Sequence, residues 1–203
     1  KVIAVDLDPH SPARVFADDF FLAPRVDDDT YVPWLRDLLL ANNIELAVSI
    51  NDFELSRWSA LPASSEWASL IRLDLLNQSI VEDKVLMNKV LESSGILIPR
   101  TWTGERPNLI AEESSSYRFV TKGRLGSASR GLRFVGRADL SQAIDSASLE
   151  VTNRYGILAP LQDEYAPSEL VIVQEEIRGT EFGLDVVCDL HRDFSCVFAR
   201  RKI

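Results

Sequence analysis

Lys1 to Leu7 (KVIAVDL) is a short, mostly apolar run closed by Asp6, Asp8 and Pro9, the pattern of a buried parallel strand stopped by a turn. Tyr31 to Asn42 places Trp34, Leu35, Leu38 and Leu39 on one side of a helix, with Pro33 near its start. Ile44 to Ile50 (IELAVSI) reads as a second buried strand. Strand, helix, strand in this order predicts a βαβ unit with a right-handed crossover, part of a doubly wound sheet.

Asn77 to Ser94 predicts a pair of helices, the second carrying Val85, Leu86, Val90 and Leu91 at core spacing, with Gly95 at C′ and Pro99 preventing continuation. A polar stretch follows, then two strands, Tyr117 to Thr121 and Leu132 to Gly136, around a loop, and a helix from Leu140 to Ser146. Leu170 to Glu175 is the next strand, ending in a turn at Arg178-Gly179. Glu181 to Asp189 alternates Phe182, Leu184, Val186 and Cys188 on one face, and Phe194 to Lys202 alternates Phe194, Cys196 and Phe198, so the two form a hairpin. The composition shifts between about Ser79 and Lys84, which sets a domain boundary there, between residues 1–80 and 81–203.

Composition narrows the classes. The 203 residues carry 22 Lys plus Arg against 31 Asp plus Glu, a net charge of −9, which argues against a nucleic-acid partner. At 46% hydrophobic and 26% charged residues the chain is an ordinary globular sequence, with no apolar stretch near the roughly 20 residues of a membrane span. Cys188 and Cys196 have no metal-binding spacing and read as two reduced core thiols of a cytoplasmic protein. Lys1 opens directly in a strand-like run without a start Met or signal peptide, and Ile203 follows Arg200-Arg201-Lys202, so both ends are expected to be cut.

Three segments carry chemistry. Lys122 to Gly131 (KGRLGSASRG) holds three glycines, two serines and three cations, a loop able to turn backbone N–H groups and hydroxyls toward one anion, phosphate being the natural guest. Leu132-Arg133 follows Gly131 where a P-loop needs Lys-Ser/Thr, and the glycine spacing is not that of a dinucleotide fingerprint. The loop is either a flap over a polyphosphate, with Lys122 at the end of the strand before it, or a solvated hairpin tip. In Val173 to Asp185 (VQEEIRGTEFGLD), Gln174, Glu175, Glu176 and Ile177 offer backbone groups and an apolar side chain to a planar base, and Glu181 can accept from a ribose diol; alone, these glutamates equally describe a solvated edge. Lys84 opens a helix against its dipole, and is either a solvated surface lysine or a cation with an anion to meet. Arg200-Arg201-Lys202 is an exposed edge device or a phosphate contact, and His10 and His191 are assigned no role.

In this order and spacing, the segments resemble the ATP-grasp superfamily, especially its carbamoyl-phosphate-synthase-large-subunit-like members, over nearly the whole chain. The opening βαβ region resembles the family's pre-grasp domain entered after its first strand, and Asp83-Lys84 followed by SSGILIP is similar to the helix and exit leading into the ATP-binding lobes. The resemblance implies an α/β chain with α+β lobes, an ATP-grasp fold at 81–203 preceded by a Rossmann-like pre-grasp domain at 1–80, with 117–175 as the small glycine-loop lobe and 176–203 as the start of the C-terminal lobe. It implies that Lys84 and Lys122 contact ATP phosphates under a mobile loop of Gly126, Ser127, Ala128, Ser129, Arg130 and Gly131. Gln174, Glu175, Glu176 and Ile177 would hold adenine, Glu181 the ribose, and Arg201 would lie near the transferred phosphate as the catalytic cation. Gly123 stands where the family has proline after the lysine.

The implied activity is an ATP-dependent carboxylate–amine or ammonia ligase working through an acyl phosphate, with ATP and Mg²⁺ as cofactors, a small carboxylate and an amine or ammonia as substrates, and possible homodimer assembly. The family's magnesium ligands fall beyond residue 203, and no residue of the chain is assigned to metal. The alternatives are a non-catalytic ATP-binding module or half of a split synthase that needs a partner for its metal and acceptor sites. A third is an acidic interaction protein without a nucleotide site.

Overall fold

The computed structural model describes residues 1–126, 131–154, 165–191 and 193–202. Strand β1 (Ile3–Asp6) ends where the Asp6 carboxylate accepts the Asp8 N–H and Asp8 accepts that of His10. The turn feeds a one-turn helix, α1 (Ala13–Phe16), and then β2 (Asp19–Leu22), which pairs parallel to β1 with Ile3 opposite Asp19.

This corrects the expected first unit, in which Ile44–Ile50 was the second strand. That segment makes one parallel bridge, Ala47 with Leu70, its N–H donating to Ser69 O at 2.8 Å and its carbonyl accepting the Ile71 N–H at 2.9 Å. Between the two segments lies a cleft of about 730 Å³, lined by residues 1–5, by Trp34, Leu35, Leu38 and Leu39, and by residues 42–48. Val2 and Val5 on one wall, and Leu46 and Val48 on the other, are exposed, so the opening strand is not buried as expected.

Helix α2 (Tyr31–Ala41) buries Tyr31, Leu35 and Leu39. They pack with Trp58 of α3 (Asp52–Ser59), and with Trp67 and Leu70, as the core of the N-terminal part. The Tyr31 hydroxyl donates to the Glu54 carboxylate and accepts the Trp58 indole N–H at 2.9 Å. The expected helix pair is α4 (Leu75–Glu82) and α5 (Lys84–Ser93), separated by a single extended residue, Asp83. Gly95 follows with φ +74°, the left-handed conformation expected after a helix. The apolar stripe predicted for α5 is not its buried face: Asn88 is its buried residue, donating to the Thr101 hydroxyl at 2.8 Å, while Val90 is exposed.

The second core lies between a four-stranded antiparallel sheet and a long helix. The strands are β3 (Thr101–Thr103), β4 (Arg118–Gly123), β5 (Arg133–Gly136) and β6 (Val171–Glu175), in the order β3-β6-β4-β5. Strand β3 and helix α6 (Pro107–Glu113) occupy the stretch whose polarity gave no pattern. Helix α7 runs from Leu140 to Arg154, eight residues past its expected end at Ser146. Its Leu140 and Ile144 pack with Ile110, Phe119 and Val173. Gly104 sits so close to this helix that an added Cβ would lie 2.8 Å from Ile144 Cγ2 and from the Ser168 carbonyl oxygen.

The hairpin forms as β7 (Phe182–Cys188) and β8 (Phe194–Arg201), with Phe182 opposite Arg201 and a register shift between Val187 and Cys188. Phe182, Leu184, Val186, Phe194 and Phe198 are exposed, so its expected apolar face is uncovered. Cys188 is exposed and Cys196 partly so; both thiols are free, and neither is the core thiol expected. No helix among the described residues is long and apolar enough to cross a membrane.

Candidate functional site

Two lysines meet where α5 begins and β4 ends. Lys84 is the first residue of α5, and Lys122 lies one residue before the end of β4. The Lys84 ammonium donates to two carbonyls just beyond β4, Gly126 O at 2.6 Å and Arg124 O at 3.3 Å. The main chains are joined as well, with the Lys84 N–H donating to Arg124 O at 3.2 Å. Both lysines are half-buried, and among the described residues neither forms an ion pair and the Lys122 ammonium has no hydrogen-bond partner. Both are held below the ordinary ammonium range: Lys84 by burial and then by the positive charge of Lys122, against the raising influence of Asp52 and Asp83, and Lys122 by burial. Two desolvated cations, neither of them ion-paired among the described residues, fit a polyanion.

The loop that follows begins at Gly126 (φ +78°) and returns at Gly131 (φ +67°), both in the left-handed region open to glycine. Ser127, Ala128, Ser129 and Arg130 lie outside the described residues.

Strand alternation sorts the remaining positions. Directly paired residues share a face, so Lys122 lies with Val120, Ile172, Gln174 and Thr101 on the α5 side of the sheet. Phe119, Thr121, Val173 and Glu175 lie on the α7 side. The structure therefore brings Gln174 to the face that carries Lys122 and turns the Glu175 side chain away, where its carboxylate accepts the Ser114 hydroxyl at 2.6 Å. Gln174 itself is spoken for: its side-chain amide donates to the Thr101 hydroxyl at 2.8 Å, and its backbone is flanked by strands on both sides. Neither residue offers its edge to a base as the sequence pattern implied. Beyond the ladder, Glu176 donates its N–H to Arg118 O at 3.2 Å and pairs its carboxylate with the Arg118 guanidinium. Ile177 is exposed, and among the described residues its N–H and the Glu176 carbonyl have no hydrogen-bond partner, which leaves them as the backbone groups available to a planar ligand.

Two expected residues are not assembled with the lysines. The Glu181 carboxylate is exposed and paired with Lys202, and its carbonyl accepts the Lys202 N–H at 2.9 Å. Arg201 ends β8, a strand whose only ladder among the described residues is with β7.

Asp83 and Arg124 were missed as site residues. The Arg124 Nε and Nη2 donate to the Asp83 carboxylate at 2.7–3.0 Å, and the same carboxylate caps α5 by accepting the Val85 N–H at 2.8 Å. An Asp directly before a helical run is a readable N-cap signal; its bond to a cation 41 residues away is not. Among the described residues no group of three or more His, Cys, Asp or Glu could hold a metal.

Residues 1–66 match the family model described as PylC-like, N-terminal domain. No curated protein matches the sequence. Solved structures are similar in fold: a biotin carboxylase from Campylobacter jejuni, in a β,γ-ATP complex, at 13% identity and a TM-score of 0.64 over 91% of this chain and 41% of that one. The N5-carboxyaminoimidazole synthetase of Staphylococcus aureus, complexed with ADP, is 16% identical with a TM-score of 0.62 over 97% and 47% of the two chains. An L-amino acid ligase from Bacillus licheniformis is 15% identical with a TM-score of 0.63 over 84% and 39%. The chain thus spans less than half the length of these structures. With its PylC-like N-terminal region and this architecture, the chain has the mixed α/β fold of the pre-grasp and grasp regions of ATP-grasp enzymes.

Proposed function

We propose that this chain supplies the ATP-binding part of an ATP-dependent carboxylate–amine or ammonia ligase, of the carbamoyl-phosphate-synthase-like kind. The observation that carries the reading is the pair Lys84 and Lys122, two half-buried ammonium groups set at the stem of a glycine loop. Two of the structurally similar enzymes hold ATP or ADP in their solved structures, which supports a nucleotide as the polyanion.

In this reading residues 1–80 are the pre-grasp domain, lacking its first strand, and 81–203 the ATP-grasp part. Lys122 and Lys84 neutralise the phosphates, with Lys84 exchanging one of its carbonyl partners for a phosphate oxygen. Gly126 and Gly131 stand beside the phosphates, and the Glu176 carbonyl and Ile177 N–H meet the exocyclic amine and ring nitrogen of adenine, with the Ile177 side chain against the ring. Val120 and Ile172 form the apolar floor between these ends. From Phe119, which faces Glu175, to Lys122 is three strand positions, roughly 10 Å, a span suited to a nucleoside with its phosphates.

Magnesium, when bound with the nucleotide, neutralises charge developing on the transferred phosphoryl group. The described residues alone do not make a site for it, and no step is assigned to the ion. The substrate carboxylate attacks the γ-phosphorus and ADP departs; an amine or ammonia then attacks the acyl carbon, loses its proton and expels phosphate. The two lysines act by fixing and neutralising the phosphates, which is most of what a protein contributes to phosphoryl transfer.

Hydroxylamine trapping tests the activity. The protein containing this chain is incubated with Mg-ATP, hydroxylamine and a panel of amino acids and small carboxylates. Carboxylate-dependent ADP release with matching hydroxamate is expected; ADP release that ignores the carboxylate, with no hydroxamate from any of the panel, would overturn the ligase reading.

A further inference from the structure

Lys84 does not hold its position alone. The carboxylate of Asp83 and the guanidinium of Arg124 are both about nine-tenths buried, with side-chain exposures of 11% and 10%. The Arg124 fork engages both oxygens, Nε reaching each at 3.0 Å and Nη2 reaching Oδ2 at 2.7 Å. The Tyr165 ring covers the guanidinium at 4.5 Å. Asp83 caps α5 with the same carboxylate, and Arg124 donates its own N–H to Leu170 O at 2.8 Å. One ion pair therefore ties the N-terminus of α5 to the end of β4, and through Leu170 to the start of β6. The Arg124 carbonyl, held by these bonds, receives both the N–H and the ammonium of Lys84.

We propose that the Asp83–Arg124 pair is a positioning device for phosphate binding, holding the Lys84 ammonium at the mouth of the glycine loop without itself touching the nucleotide. The inference rests on the nucleotide reading of the site. Arg124 has its charge consumed by Asp83 and its face covered by Tyr165, so it is less available to a ligand than Lys122, whose ammonium has no partner among the described residues. Its geometry instead fixes where the Arg124 carbonyl lies, one of the two carbonyls to which the Lys84 ammonium donates and the one that also accepts the Lys84 N–H. A planar fork on a carboxylate transmits orientation in a way that a single ammonium cannot.

Two variants separate positioning from folding. Arg124→Lys keeps a cation against Asp83 but loses the fork. Asp83→Asn with Arg124→Gln replaces the ion pair by neutral amides, and Asn keeps an oxygen to cap α5. Mg-ATP affinity is measured by calorimetry, and the Lys84 ammonium is followed by ¹⁵N NMR, where bonds to two carbonyls slow its proton exchange. In both variants the dissociation constant is expected to rise about tenfold or more, since sub-ångström misplacement is enough for that. The slowed Lys84 signal is expected to disappear while the melting temperature of Arg124→Lys stays within a few degrees of wild type. Affinity within twofold of wild type, with the Lys84 signal intact, overturns the positioning role. A wild-type protein that binds no Mg-ATP overturns the nucleotide reading; the ammonium signal then decides the positioning role by itself, its survival in both variants refuting it and its loss supporting it.

Discussion

Replacing Lys122 by Met removes the charge and keeps most of the stem. The ammonium of Lys122 is depressed by burial and has no partner among the described residues, so in the unliganded protein it is a charge held at an unfavourable place. Its unbranched stem belongs to the face that carries Val120 and Ile172, and Met fills nearly the same volume. Exchanging a poorly compensated charge for an apolar group of similar volume is neutral to stabilising, so the free protein should keep its stability or gain about 1 kcal/mol, a rise of roughly 2 to 4 °C in Tm. Binding should move the other way. A hydrogen bond between charged groups contributes about 1.5 to 3 kcal/mol, which corresponds to a rise of about 10- to 100-fold in the Mg-ATP dissociation constant. Calorimetric titration of Mg-ATP together with thermal melting of the free protein reads both. An unchanged affinity would refute the placement of Lys122 at the phosphates, and a large loss of stability would refute the view that its charge is uncompensated.

Lys84 and Lys122 both have folded-state pKa values below 10.5, so the unfolded chain holds more protons in the window from those lowered values up to 10.5, and their burial penalty is relieved as pH rises through it. Nucleotide affinity should fall through the same window, because phosphate needs the ammonium form; calorimetry from about pH 7 to 10.5 checks this, and a flat profile contradicts it. Gly104→Ala forces a Cβ to within 2.8 Å of the Ser168 carbonyl oxygen and should cost about 1 to 3 kcal/mol, seen as a lower Tm; a neutral result would mean that the β3 turn and α7 part easily. Tyr31→Phe leaves the buried Trp58 N–H without its acceptor and Glu54 Oε1 without the Tyr31 donor, Oε2 keeping the Ser49 hydroxyl, a loss of about 1 to 3 kcal/mol in urea unfolding at unchanged m-value; a smaller change would show that water replaces the hydroxyl.

What the sequence made legible follows from the length of the pattern. Helix α2, strands β4 and β6 and the β7–β8 hairpin carry periodicity over enough positions to be read, and the placement of Lys84 at a helix start and Lys122 at a strand end came with them. Helix α1 and strand β2 have four residues each, and β3 has three, too few for a period to emerge. Residues 44–50 have the composition of a strand, but pairing is a property of neighbours, and the cleft beside them leaves only the bridge at Ala47. The apolar positions of α5 misled for a related reason: the helix turns Asn88 toward the sheet, where the Thr101 hydroxyl accepts from both Asn88 and Gln174. Period-two alternation did contain the separation of Gln174 from Glu175, since adjacent strand residues face opposite sides. The Asp83–Arg124 pair left no local trace, because its fork closes only when α5 and β4 are brought together.

The most direct measurement is the binding of Mg-ATP, with Mg-GTP as control, to the wild-type chain and to the double variant Lys84→Met, Lys122→Met. At one hundred times its dissociation constant a ligand stabilises the native state by about 2.7 kcal/mol, a melting shift of several degrees. The account predicts that shift with ATP in the wild type, little with GTP, and its loss in a double variant that folds as well as the wild type. A wild-type chain that does not respond to Mg-ATP, or a double variant that responds as fully as the wild type, would contradict it.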